Sequence, residues 1–272
     1  MMRLSIAIIA RDEAAHIAGC LRSIAGLSDD VVVIVDAQTR DETAAIAASH
    51  GAQVWIEPWR GFSAQRNLAL QRCRGEWVLF IDADERLTPQ LFIELATLVY
   101  RNPPDPIAGY RIPRYNLFFG RRLRGGGWYP DYQLRLLRRD AARYDERVSV
   151  HEVATLSGAV AELHGHLLHL NIERLDELWQ KQARYAWAEA TMLYRNGRRM
   201  RLRNLIGAPA REFIRRYLQL GGWRDGWLGL FLCATLAWYE VVKFCMLRGL
   251  QESDTAITTQ MTRMRCKYAR FR

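Results

Sequence analysis

The sequence predicts an α/β fold, a mostly parallel sheet with helices on both faces, continued by a basic helical C-terminal region. Three observations carry this. Short apolar runs alternate with segments of helical periodicity through the first hundred residues. Acids stand at the ends of two of those runs, and the net positive charge is confined to the last third of the chain.

Residues 4–10, LSIAIIA, read as the first strand; seven residues are too few for a signal-peptide core with its cleavage site. DEAAHIAGCLRSI (12–24) has an acidic start and places Ile17, Leu21 and Ile24 on one face, as an amphipathic helix does. VVVIVD is a strand buried on both faces, and RDETAAIAASHG a helix closed by Gly51. AQVWIE gives a third strand, and SAQRNLALQRC a helix capped by Ser63. EWVLFIDAD is the fourth strand, and TPQLFIELATLVYR a helix with Thr88 as its cap and Pro89 in its first turn. This βαβα rhythm implies a parallel sheet that binds ligands at the carboxyl ends of its strands. NPPDP (102–106) breaks the pattern; QLRLLRR, ARYDE and HLLHL then suggest short strands, and from about residue 175 the chain turns helical. The expected organisation is one α/β domain over residues 1–170 and a helical basic region over 171–272.

Half the 272 residues are apolar and a quarter charged, as in a packed globular protein. The five cysteines are scattered, odd in number and without a CxxC pair, which argues against a disulfide framework or zinc site and fits a reducing compartment. Residues 1–180 carry 21 Lys and Arg against 23 Asp and Glu, whereas residues 181–272 carry 18 against 6. The basic end suits an anionic surface, nucleic acid or acidic lipid. It holds no RRM, KH or helix-turn-helix signature, so acidic lipid is the expected partner and nucleic acid is not.

In VLFIDADERLTP (78–89) an apolar strand runs into Asp82, Asp84 and Glu85. Alternate side chains of a strand share a face, so Asp82 and Asp84 are expected together across Ala83. Two such oxygen ligands suit Mg²⁺ or Mn²⁺, particularly where a diphosphate completes the coordination. A DxD alone is common in surface turns; one that ends an apolar strand in a doubly wound pattern is more telling. Asp36 ends the second strand in the same way.

The blocks SIAIIARDEAAHIAGCLRSI, VVVIVDAQTRDET, GFSAQRNLAL and GEWVLFIDADE, in that order, resemble those of the family 2 inverting glycosyltransferases of GT-A (Rossmann-like) fold, over residues 3–170. Within that family, WRGFSAQRN, WYPDYQLRLLRR and VHE, with the basic helical tail, resemble bacterial lipopolysaccharide inner-core β-1,4-glucosyltransferases. The resemblance implies a metal-dependent, inverting transfer of a hexose, glucose from UDP-glucose, to a lipopolysaccharide inner-core heptose, with a UDP-sugar donor and a divalent cation, Mg²⁺ or Mn²⁺. It implies that Ala10, Arg11 and Glu13 contact base and ribose, that Asp36 meets the uracil, and that Gln65, Arg66 and Asn67 line the nucleotide pocket. Asp82 would meet the ribose or a metal-bound water, and Asp84 the cation itself. An inverting transfer also needs a carboxylate to take the acceptor hydroxyl's proton. The family places it in a Glu-Asp pair; here Asp131 matches the second acid while Pro130 replaces the first, and Glu152 is the second candidate. His151 matches a histidine that some relatives bring near the diphosphate and metal, and is a candidate ligand. No glycine-rich phosphate loop is present.

Each of these residues also has a plainer reading. Asp36 suits a cap of the following helix, and Asp41 suits one better. Arg66 suits a solvated helix face, Asp131 after a proline suits a turn, and His151 a structural histidine. His164, His166 and His169 follow an i, i+2, i+5 spacing that matches no zinc helix motif. They are expected in strand and core, one of them near the acceptor.

Residues 226–239, GWLGLFLCATLAWY, form a charge-free run of 14, short of the ~20 needed to span a bilayer, and Glu240 and Lys243 interrupt its extension. A complete span is therefore not expected. Arginines beside Trp223, Trp227 and Trp238 suit an interfacial helix on an anionic membrane surface; a core helix packed on the α/β domain is the alternative. These features point to a peripheral enzyme on the cytoplasmic face of the bacterial inner membrane, acting on a lipid-linked glycan, the lipopolysaccharide core. The alternatives are transfer of another sugar to a polyprenyl-linked or other surface glycan, and a non-catalytic basic nucleic-acid-binding protein.

Overall fold

The structure is a computed structural model that describes residues 4–101, 106–146 and 154–269, with side chains described to residue 252 apart from residue 99. It divides into two compact units, Met1–Arg122 with Pro130–Asn171, and Leu123–Tyr129 with Ile172–Arg272.

In the first unit β1 (Leu4–Ala10), β2 (Val31–Asp36), β3 (Gln53–Glu57) and β4 (Trp77–Phe80) pair in parallel in the order β3-β2-β1-β4. Helices α1 (Ile17–Ile24), α2 (Thr43–Ser49), α3 (Phe62–Arg72) and α4 (Pro89–Arg101) connect or follow them. Alternation along each strand supplies two apolar faces. Ile6, Ile8, Val33, Val35 and Leu79 meet Ile17, Cys20 and Ile24 of α1, Ala47 of α2 and Leu91 and Leu95 of α4. Ala7, Val32, Ile34, Val78 and Phe80 meet Ala69 and Leu70 of α3 on the opposite face.

The remaining strands are β5 (Glu85–Leu87), β6 (Ile107–Phe118), β7 (Arg121–Arg122), β8 (Asp131–Arg138), β9 (Ala142–Arg143), β10 (Thr155–Leu156), β11 (Ala159–Glu162) and β12 (Leu167–Ile172). They extend the parallel half: β8 runs antiparallel to β4, β6 antiparallel to β8, and β12 and β5 close the order β3-β2-β1-β4-β8-β6-β12-β5. β7 and β11 pair with β6, and β9 and β10 form a separate two-stranded sheet. The fold is therefore α/β, its parallel half carrying the expected helices on both faces.

Local chemistry sets the helix starts. Thr88 Oγ1 accepts the Leu91 N–H (3.2 Å) ahead of Pro89, and Asp41 accepts the N–H groups of Thr43 (3.0 Å) and Ala14 (2.9 Å) at the head of α2. Two starts differ from expectation. α1 begins only at Ile17, because Asp12 adopts φ 54° and the chain turns through residues 12–16. α3 begins at Phe62 after Gly61, whose φ of 97° favours glycine; Ser63 lies inside the helix and its buried hydroxyl has no hydrogen-bond partner.

The second unit is helical: α5 (Leu175–Arg195), α6 (Asn204–Phe213) running into a π-helical turn at Ile214–Gln219, a 3₁₀ turn at Gly222–Asp225, and α7 (Gly226–Ala269). The Leu123–Tyr129 segment is pinned there, since the Asp225 carboxylate accepts the N–H groups of Arg124 (2.8 Å) and Gly125 (2.9 Å), and Gly126 N–H donates to Leu220 O (2.8 Å). A side chain at Gly125 would stand 2.0 Å from Gly221 O, so only glycine fits. The expected interruption of the apolar run needs correction. Lys243 is buried and paired with Glu240 (2.5 Å) and Glu189 (2.9 Å), so the helix passes through both charges. Within Gly222–Glu252 an 18-residue window of mean hydropathy 1.6 is by length and composition enough to cross a membrane.

Candidate active site

The carboxyl ends of β1, β2 and β4 carry the acids. Asp36, buried at the end of β2, accepts the Gln38 N–H through Oδ1 (2.9 Å). Among the described residues its buried Oδ2 has no hydrogen-bond donor, with Arg11 Nη1 as an ion-pair neighbour at 3.2 Å. A solvent-shielded acceptor left open at a strand end is unusual, because an unsatisfied buried polar atom is costly.

β4 ends at Phe80, so Asp82 and Asp84 stand in the turn between β4 and β5 and not on a strand face. This corrects the expectation of a shared strand face. The turn is locked reciprocally: Glu85 N–H donates to Asp82 O (2.9 Å), and Asp82 N–H donates to Glu85 Oε2 (2.9 Å). The turn thus sends Asp82 and Asp84 to different partners. Asp82 is gripped by both Nη atoms of Arg135 on β8 (Nη1 at 3.2 Å). Asp84 Oδ2 lies 3.3 Å from His169 Nε2 on β12. Both carboxylates keep a face open to solvent.

Fully buried Glu85 joins the pieces. Its Oε1 accepts Arg135 Nη2 (2.7 Å) and Arg114 Nη1 (2.9 Å). Arg114 on β6 in turn donates through Nε (2.9 Å) and Nη2 (2.7 Å) to Asp131 Oδ2, the residue directly opposite it in the β6–β8 register. Asn116 Nδ2 (3.0 Å) and Gln133 Nε2 (2.6 Å) also donate to Asp131. Asn116 Oδ1 meets His169 Nδ1 at 2.6 Å. One continuous chain, Asp82–Arg135–Glu85–Arg114–Asp131–Asn116–His169–Asp84, therefore returns to the turn where it began.

The electrostatics follow from this arrangement. Burial pushes the Asp82 carboxyl up, but the charge and hydrogen bonds of Arg135 outweigh it and hold Asp82 well below the usual carboxylate range. Asp131 behaves likewise: burial raises it, and Arg114, Asn116 and Gln133 bring it below that range. Glu13 goes the other way, up to about 7, through burial and then repulsion from Asp84, Asp82 and Asp41. The donor set fits a hard divalent ion in part: among the described residues no three His, Cys, Asp or Glu side chains converge on one point. Asp84, with His169 beside it, would hold such an ion only with ligands brought by a substrate.

Arg66 lies over the Phe80 (5.6 Å) and Tyr144 (5.4 Å) rings, and its charge contributes to lowering Asp82. Gln65 spends its amide on Pro58 O (2.9 Å). Asn67 clamps the Tyr144 backbone, donating to its carbonyl (2.9 Å) and accepting its N–H (3.0 Å). Both residues hold α3 and its surroundings in place. Ala10, the last residue of β1, pairs with Val35 and leads directly to exposed Arg11. His151 and Glu152 lie outside the described residues.

Sequence reasoning missed Glu85, Arg114, Asn116, Arg135 and His169 as members of the site. A signal was present. Asp131, Gln133 and Arg135 recur at every second position of β8, as do Arg114 and Asn116 on β6 and His169 and Asn171 on β12. Such a period-2 polar series in otherwise apolar strands marks one polar sheet face.

An α/β sheet with carboxylates gathered at the carboxyl ends of its parallel strands has its ligand site there. The profile of the family described as Glycosyl transferase family 2 matches residues 5–163. The lipopolysaccharide core biosynthesis glycosyltransferase LpsC of Rhizobium meliloti is 35% identical over 247 residues, 87% of this chain and 88% of that protein. An uncharacterized glycosyltransferase of Rickettsia prowazekii is 28% identical over 95% of this chain and 91% of its own. Among solved structures, glucosyl-3-phosphoglycerate synthase from Mycobacterium tuberculosis, in complex with Mn²⁺, UDP and glucosyl-3-phosphoglycerate, is similar at TM-score 0.45 and 20% identity, covering 72% of this chain and 81% of that one. The chain belongs to glycosyl transferase family 2.

Proposed function

We propose that the enzyme transfers a hexose, glucose from UDP-glucose, with inversion, to a sugar of the lipid-linked lipopolysaccharide core. It does so with a divalent cation, as a peripheral protein on the cytoplasmic face of the inner membrane. The observation that carries this is the closed hydrogen-bonded chain that holds Asp82, Asp84 and Asp131 in one framework at the strand ends. The likeness to LpsC supports the lipopolysaccharide acceptor.

In this reading the open Oδ2 of Asp36 accepts the imide N–H of uracil, and Arg11 and the end of β1 at Ala10 flank the base. Glu13 faces the ribose side. Gln65 and Asn67 fix the backbone around the pocket, and Arg66 adds positive charge beside it. Asp82, though gripped by Arg135, retains lone pairs for a ribose hydroxyl or a water, since a carboxylate accepts about four hydrogen bonds. A cation on Asp84, with His169 or His151 near it, would screen the diphosphate and stabilise charge on the departing UDP. Asp131 takes the proton of the acceptor hydroxyl as its oxygen bonds to the anomeric carbon. The bond from that carbon to the β-phosphate oxygen breaks at the same time, and the electron pair leaves with UDP. Glu152 is the alternative base.

Calorimetric titration of UDP-glucose with and without Mn²⁺, paired with turnover on a lipopolysaccharide core acceptor, tests the reading. Asp84→Ala should abolish Mn²⁺-dependent binding and lower turnover about 100-fold or more, with an unchanged melting temperature because Asp84 is partly exposed. An Asp84→Ala enzyme that turns over normally overturns it.

A further inference from the structure

The two most exposed large apolar side chains of the helical unit lie outside the 226–239 run: Leu202 is 72% and Ile206 77% exposed, against 69% for Trp227 and 62% for Trp238 within it. Leu218 at 59% and Ile214 at 46% continue the series from Leu202 and Ile206. With exposed Ala210 between them, they recur every fourth residue from the turn ahead of α6, which holds Leu202, through α6 and its π-helical turn. In a regular α-helix a four-residue step overshoots one turn by ~40°, so a long series of this kind would wind off the surface. The π turn, closed by Leu220 N–H to Arg215 O (2.8 Å), takes more residues per turn and swings Leu218 back in line. The inward side of the same segment carries buried Ala208 and the stacked pair Phe213–Tyr217 (5.2 Å). α6 therefore has its packing face elsewhere, and the outward stripe is surplus to the core.

The charges bordering this stripe are mostly positive, and the one acid within its span, Glu212, is paired with Arg215 (2.8 Å) and Arg216 (2.5 Å). Residues 190–211 hold six arginines and no Asp or Glu. Arg198, Arg199, Arg201, Arg203 and Arg211 are all exposed. An apolar stripe bordered by solvated guanidinium groups is complementary to the interface of an anionic bilayer, with side chains entering the acyl boundary and cations meeting phosphates. A protein partner of ordinary composition offers no such sheet of negative charge.

We infer that the stripe Leu202–Ile206–Ile214–Leu218, with its bordering arginines, is the membrane-docking surface of this enzyme, binding anionic phospholipid with α6 lying in the headgroup plane. The inference rests on the membrane location proposed above and assigns it to α6 instead of the more apolar α7. None of these residues takes part in donor binding or transfer.

Sedimentation of the full-length protein with vesicles tests this, using phosphatidylglycerol and phosphatidylcholine in equal parts against phosphatidylcholine alone, without donor or acceptor. The wild type should bind the anionic vesicles and release as salt is raised. Ile206→Ser/Leu218→Ser should weaken binding about tenfold or more, since it removes two inserted side chains. Arg201→Gln/Arg203→Gln/Arg211→Gln should abolish the preference for anionic vesicles. Turnover on a water-soluble core oligosaccharide should be unchanged in both, so that loss of docking is distinct from failure of the transfer reading. Two results overturn the inference. One is undiminished vesicle binding by the serine variant while Trp227→Ser/Trp238→Ser on α7 loses it. The other is a wild-type dimer that becomes monomeric in the serine variant with vesicle binding intact, which assigns the stripe to a second copy of the chain.

Discussion

Glu85→Gln isolates the residue on which the site's framework turns. The substitution keeps the side chain's shape and removes one charge. Glu85 is fully buried and accepts from Asp82 N–H, Arg135 Nη2 and Arg114 Nη1. A glutamine offers one oxygen and one NH₂. If the oxygen faces the two arginines, the NH₂ points at the Asp82 N–H; if the amide flips, it points at two guanidinium groups. Either orientation sets donor against donor. Removing one partner of a buried ion pair costs ~3–5 kcal/mol, but Arg135 retains Asp82 and Arg114 retains Asp131. The expected loss is accordingly ~2–3 kcal/mol, at or below the bottom of that range. For a domain of this size each kcal/mol lowers the melting temperature by ~2–4 °C. Differential scanning calorimetry should therefore show a fall of roughly 5–10 °C. Turnover should drop ~100-fold, because Asp82 and Asp131 lose their common anchor and a displacement near 1 Å has that effect. A variant that melts within a degree or two of wild type would show that the arginines need no shared carboxylate, and the account of a single framework would fail.

Two further substitutions probe the ends of the framework. Asp131→Asn should keep its contact with Arg114, with Gln133 turning its amide to accommodate the new NH₂, so UDP-glucose affinity stays constant while turnover falls ~100–10,000-fold; normal turnover would transfer the base's role to Glu152. Glu13 is held up at about 7 against an ordinary 4.5, so the folded state binds its proton more tightly and stability declines as pH rises from about 4.5 to 7, staying lower above that. At full weight this is ~3 kcal/mol, which solvent access to the half-buried side chain reduces to ~1–2 kcal/mol. Glu13→Gln should remove that decline in melts at pH 5 and 8, and saturating Mn²⁺ should flatten it in the wild type; a slope identical in wild type and variant would assign it elsewhere.

The parallel half of the sheet was legible because burial on both faces leaves a plain record. VVVIV and WVLF are apolar throughout, and the helices beside them announce their caps at Thr88 and Asp41. The antiparallel half was less so. In β6, β8 and β12 the apolar signal is interrupted by Arg114, Asn116, Asp131, Arg135 and His169, which weaken any strand reading while forming the site. Asp131 was found through the resemblance; its partner Arg114 is adjacent only across the β6–β8 register, which local pattern does not give. The DxD was expected on a strand but stands in a turn, because the reciprocal bonds between Asp82 and Glu85 that turn the chain are invisible in spacing alone. At the other end of β1 an equally buried acid, Asp30, is fully explained by structure. It accepts from Ser5, Gln53 and Arg74. Composition does not separate it from Asp36; only the open Oδ2 of Asp36 does.

That contrast bears on why the ionic framework exists. Buried ion pairs are poor sources of stability, since desolvation offsets the attraction and apolar residues of equal volume often do as well. Arg114, Arg135 and Glu85 would be wasteful as core. Their use becomes clear from what they hold. Asp82 and Asp84 are two residues apart, and Glu13 and Asp41 repel from the same side. Left to themselves, such acids would spread into solvent or take up protons. Arginines fixed on neighbouring strands keep Asp82 and Asp131 ionised and immobile, and leave Asp84 and the protonatable Glu13 as the members whose charge is uncompensated. On the proposed reading a divalent ion arriving with a diphosphate would meet its negative field there, on the side chain that no guanidinium occupies, and the arginines would direct the cation by deciding which carboxylate remains free.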